Sequence, residues 1–145
     1  MKMTALEHRH HALALPILIL RARERLVSRI RAVIAESGLT EQQWRILSVL
    51  DHMGPMEASH LAQACSLLLP SQSRIVQTLE EGGMIRRGRH GTDRRRQMLE
   101  ITDAGRAVVL AHAAAMADLS AEIESQLGLE DLARLLELLE TLERL

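Results

Sequence analysis

The chain has 145 residues, a formal net charge of -1, one cysteine, one tryptophan and neither phenylalanine nor tyrosine. That balance excludes a uniformly basic or acidic binding surface, and a lone Cys65 excludes an intramolecular disulfide framework and fits a reducing compartment. No run reaches the roughly 18 apolar residues of a membrane span, so a soluble cytoplasmic protein of one domain is expected, with no membrane partner and an aliphatic core in which Trp44 is the one large ring.

Met1 to Leu15 reads as an N-terminal arm. Its cluster His8-Arg9-His10-His11 lacks the further ligands a structural metal site needs, so no metal and no cofactor are expected. Pro16 is expected to open a first helix running to about Ser37, with Leu20, Val27, Ile30 and Ile34 at helical spacing and Gly38 just past its end. Thr40-Glu41-Gln42-Gln43 is a capping-box pattern, so a second helix starts at Glu41 and stops near Met53, before Gly54-Pro55. Met56 to Ala58 reads as a short strand. A third helix follows at about Ser59 to Ser66, burying Leu61, Ala62 and Cys65.

Pro70 suits a first helical position, and Pro70 to Glu81 reads as a short amphipathic helix stopped by Gly82-Gly83. Ile75, Val76 and Leu79 form its apolar face. Ser71, Gln72, Ser73, Arg74 and Gln77 are assigned to its polar faces, as short hydrogen-bonding groups and a guanidinium suited to base edges and phosphates. Strand-like runs Met84 to His90 and Arg96 to Thr102 then flank a Gly-Thr-Asp turn. This hairpin carries Arg86, Arg87, Arg89, Arg94, Arg95 and Arg96 against one acid, Asp93, a charge run that fits a polyanion better than a solvated surface. A polar helix followed by a basic hairpin outlines a winged helix-turn-helix: a mainly α fold with a small β-hairpin.

Thr102 and Asp103 suit the start of a long helix to Leu127, ended by Gly128. A last helix from Glu130 carries the stripe Leu132, Leu135, Leu136, Leu139 and Leu142. The terminal helices are more apolar than one small domain can cover, so a homodimer is expected. The division expected is a winged core at about 39–102 and dimerisation helices at about 5–37 and 103–145, within a single domain.

The run Asp93-Arg94-Arg95, then Ile101-Thr102-Asp103-Ala104-Gly105, resembles the D-x-R…L-T-x-x-G wing of the MarR (multiple antibiotic resistance regulator) family, with Ile101 in place of the usual leucine. The resemblance covers nearly the whole chain. It implies a two-fold dimer on a pseudo-palindromic double-stranded operator, with Arg95 entering the minor groove and Asp93 orienting the wing arginines. It also implies an effector pocket between the dimer helices and the DNA-binding lobe. Trp44, Arg23, Arg31 and His60 are its candidate lining, a ring and cations for an anionic aromatic ligand. The run Leu39 to Ile46, with Arg23-Glu24, Ala64-Cys65 and Pro70-Ser71, resembles the subgroup that represses homoprotocatechuate (hydroxyphenylacetate) degradation. The function expected is therefore a repressor of an aromatic-catabolism operon, released by a small aromatic acid. An efflux or oxidative-stress regulator and a helical interaction module are the alternatives. No nucleophile-elbow, P-loop or zinc-protease motif points to an enzyme.

Overall fold

The computed structural model describes the backbone of residues 5–90 and 93–145, and the side chains of residues 11–88 and 96–145. In chain order the elements are α1 (Ala5–Ile34), a 3-10 turn (Ala35–Ser37), α2 (Glu41–Met53), β1 (Met56–Glu57), α3 (Ala58–Ala64), α4 (Leu69–Glu81), β2 (Ile85–His90), β3 (Asp93–Ile101), α5 (Asp103–Ala111), α6 (Ala113–Leu127) and α7 (Leu129–Glu143).

The local signals act where they stand. Thr40 Oγ1 accepts from the Gln43 amide at 3.1 Å, and Gln43 Oε1 accepts from the Thr40 amide at 3.0 Å, completing both arms of the capping box. Gly38, at φ 71°, takes the left-handed turn that leads the chain out of the first helical stretch. β1, β3 and β2 form one antiparallel sheet in that order, with Met56 opposite Leu99 and Arg87 opposite Leu99 on its other side.

Two helical expectations need correction. Helix α1 does not begin at Pro16 but already at Ala5, with the proline inside it. Pro16 removes one i→i−4 bond, to Ala12, and the good helix formers on either side carry the helix through. The long helix expected from Asp103 to Leu127 is broken at His112. The His112 ring nitrogen Nδ1 lies 2.9 Å from the Val108 carbonyl, the group its own amide would bond in a continuous helix, and that amide turns to Val109 instead. A side chain inserted into the ladder in this way bends a helix.

The core sits in the middle third. Ile46, Leu47 and Leu50 of α2 pack with Leu61 of α3, Cys65 at its C-cap, Val76 and Leu79 of α4, and Ile85, Leu99 and Ile101 of the sheet. Each such aliphatic side chain contributes about 1.5–3 kcal/mol on burial. Outside this cluster α1 and α7 keep Leu18, Leu20, Leu136 and Leu138 exposed. Among the described residues no helix is long and apolar enough to cross a membrane.

The Thr102–Gly105 corner joins the hairpin to α5. Thr102 Oγ1 accepts from the Gly105 amide at 3.2 Å and donates to the Gly83 carbonyl at 2.6 Å. A Cβ on residue 105 would stand 2.4 Å from the Met84 carbonyl oxygen and 2.7 Å from Ile101 Cγ1, so this close approach requires glycine.

Candidate DNA interface and ligand cavity

Helix α3 ends at Ala64 with Cys65 as its C-cap, and Ser66 takes φ 50°, a left-handed position that turns the chain sharply into α4. The Leu67 amide bonds back to the Ala62 carbonyl at 2.9 Å, which fixes the angle between the two helices. Ser71, Ser73, Arg74 and Gln77 are then exposed together along α4. Gln72 is not with them. It is buried beside Val76 and Leu79, and its Nε2 donates to the Ala58 carbonyl at 2.6 Å. The assignment of Gln72 to the base-reading face is corrected on that ground: its amide is turned inward and held at the start of α3. Positions 72, 75, 76 and 79 share one helical stripe, so spacing alone contained the signal, overridden by the residue's polarity.

In the hairpin, Arg86 pairs opposite Glu100 and Arg87 opposite Leu99. The fold brings acids to the base of this arginine run that the linear sequence kept apart. Arg86 Nε bonds Glu100 at 3.0 Å, Arg87 Nε bonds Glu80 at 3.0 Å, and Arg96 Nε lies 3.1 Å from Glu57. The hydrogen bond from Arg86 holds the Glu100 carboxyl below the usual carboxylate range. The hairpin base is thus less positive than its six-to-one count suggests. The side chains of Arg89, Asp93, Arg94 and Arg95 lie outside the described residues, as do those of His8, Arg9 and His10.

A cavity of about 330 Å³ lies between α1, α2 and α6, walled by Ile30, Trp44, Val49, Met53 and Met116 with Glu41, Arg45, Ser48 and His52. Trp44 is buried, its ring meeting His112 edge-on at 5.4 Å. Of the four effector residues expected, only Trp44 lines this space. Arg31 is exposed and paired to Glu24 at 2.8 Å, and His60 is exposed on α3. Arg23 borders a different groove, of about 480 Å³, between Leu18, Leu26, Leu135 and Leu139 of α1 and α7. The expectation that Arg23, Arg31 and His60 share one pocket with Trp44 is therefore not met within a single chain, because they lie on other faces of α1 and α3. Sequence reasoning missed Ser48 and His52, which follow Trp44 at steps of four on the same helix face. Arg45, the nearest guanidinium, is engaged by both oxygens of Glu41 at 2.9 and 2.6 Å and by the Cys65 carbonyl at 2.7 Å.

The sequence pattern of the MarR family matches residues 37–96. Over 127 residues the chain is 32% identical to the homoprotocatechuate degradative operon repressor of Escherichia coli, covering 88% of this chain and 86% of that one. The chain belongs to the MarR family. Its winged helix-turn-helix is the DNA-binding unit of a transcriptional regulator. A shorter match, 33% identical over 87 residues and 60% of each chain, is to the transcriptional regulator FarR of Neisseria gonorrhoeae. The structure also superimposes on that of NadR in complex with 4-hydroxyphenylacetate, with a TM-score of 0.81, 30% identity, and coverage of 88% of this chain and 91% of NadR. In this MarR-family chain α3 and α4 are the helix-turn-helix and β2–β3 the wing.

Proposed function

We propose that this MarR-family protein is a homodimeric repressor of an aromatic-catabolism operon, released from its operator by a small aromatic acid. It acts in the cytoplasm by binding alone, with no catalytic step and no cofactor. Ser71, Ser73, Arg74 and Gln77 meet the major groove, Arg86, Arg87 and Arg96 hold phosphates, and Arg94 or Arg95 reaches the minor groove with Asp93 orienting them. The winged core at about 39–102 reads DNA, and the helices at about 5–37 and 103–145 form the dimer.

One observation carries the effector part of this reading. The Trp44 cavity is bounded by α1 and α6 on one side and by α2 of the winged core on the other. A ligand there touches both bodies whose relative placement sets the spacing of two recognition helices, about 34 Å on successive turns of duplex. The names of the E. coli repressor and of the NadR complex support an aromatic acid as the ligand class. The exposed leucines of α1 and α7 support the dimer.

The test is titration of operator duplex with and without 4-hydroxyphenylacetate, alongside analytical ultracentrifugation. The reading expects a dimer at micromolar concentration and an operator affinity lowered about 5–150-fold by ligand, the range of a 1–3 kcal/mol coupling. A monomer, or unchanged affinity with several aromatic acids, would remove it, while the family assignment would stand.

A further inference from the structure

The three leucines that lead into α4 have different surroundings. Leu67 packs on the core, whereas Leu68 is 77% exposed and Leu69 50% exposed. Leu68 is the N-cap of α4, and no side chain caps the first turn. Serine, threonine, asparagine or aspartate at that position would satisfy a free backbone amide. This chain instead presents two aliphatic side chains at the entry to its recognition helix.

These leucines continue the polar face described above. Leu69, Ser73 and Gln77 follow at steps of four along α4 and are all exposed, while Gln72, Val76 and Leu79 turn inward. The N-terminal residues of a recognition helix are the ones that contact base edges. An aliphatic side chain gains nothing from water and gains from an apolar surface. The apolar feature of the major groove is the C5 methyl of thymine.

We propose that Leu69 is a specificity-determining residue of the DNA interface, seating its side chain against the C5 methyl of one thymine in each half-site. Ser73 and Gln77, on the same stripe, meet the polar edges of the neighbouring bases. The contact selects thymine over cytosine, the pyrimidine without a methyl group. This rests on the major-groove placement of α4 proposed above.

Duplexes selected from a random-sequence pool by the full-length protein supply the probe. Each thymine of the selected site is exchanged for deoxyuridine, which removes the methyl group and keeps every base-pair hydrogen bond. At one position, changed in both half-sites, wild-type affinity should fall about fourfold per methyl, the scale of one buried methylene. In Leu69→Ala the thymine and uracil duplexes should bind equally. Leu69 is half exposed and alanine is a good helix former, so the thermal midpoint of Leu69→Ala should match wild type. If no uracil exchange weakens wild type, or if Leu69→Ala keeps the penalty, the role of Leu69 is overturned. Selection with Arg74→Ala separates that failure from failure of the reading beneath it. A relaxed base preference in Arg74→Ala keeps α4 in the major groove, and unchanged preference in both variants removes it from there.

Discussion

The Gln72 side chain and the Ala58 carbonyl, fourteen positions apart, are joined by a 2.6 Å hydrogen bond that ties the first turn of the recognition helix to the start of α3. The bond sets how α4 is presented, and its loss should show in affinity rather than in base preference. Gln72→Ala removes this bond and opens a void, so a loss of about 1–3 kcal/mol in folding stability is expected. Operator and unrelated duplex should weaken in parallel. Arg74→Ala, on the exposed face, should instead cost about 1–3 kcal/mol on the operator only, as a lost base contact does. Comparing specific with nonspecific binding for the two variants separates the roles.

Gly105→Ala places a methyl against the Met84 carbonyl and Ile101. Overpacking of this kind costs about 1–3 kcal/mol. Denaturant unfolding should show the loss. Ala104→Gly, an exposed helical neighbour, should cost about 1 kcal/mol at most, from helix propensity alone. Equal losses at the two positions would contradict the close packing of this corner.

Glu100 holds Arg86, which the proposed function assigns to a DNA phosphate. Glu100→Gln leaves the guanidinium available to a phosphate, so duplex affinity at low salt should rise and the slope of log K against log salt should steepen by about one counterion. An unchanged slope would mean that Arg86 lies off the DNA path.

Burial pushes the Cys65 thiol up, and the smaller opposing pull of Arg45 does not reverse this. The native protein should therefore react slowly with iodoacetamide at neutral pH, and as fast as a free thiol once unfolded. Fast native alkylation would favour the oxidative-stress alternative instead.

Arg29 of α1 holds Glu122 of α6 through both carboxylate oxygens, and these hydrogen bonds lower the acid's pKa. The folded value lies below the unfolded one. The bridge therefore stabilises fully above the unfolded value, and its contribution is lost as pH falls through the folded value. Thermal midpoints of wild type and Glu122→Gln should differ more at neutral than at acidic pH. Both side chains are half exposed, so the gap should also shrink with added salt.

Local chemistry decided much of this protein before any folding was considered. The Thr40 capping box, the Gly38 and Gly128 boundaries and the wing motif through Gly105 depend on neighbours a few residues away, and each was legible in the linear sequence. So was the regulator family, because the wing motif is a local constellation. What acts across distance was not legible. Gln72 was buried by its place on the apolar stripe of α4, and only packing against Ala58 showed where its amide bonds. The acids that temper the wing arginines, Glu57 and Glu80, come from other elements, and Glu100 reaches Arg86 only through strand register. Trp44 lines the cavity between α1, α2 and α6, but Arg23 and Arg31 are separated from it by the rotation of α1, which a count of charges cannot supply.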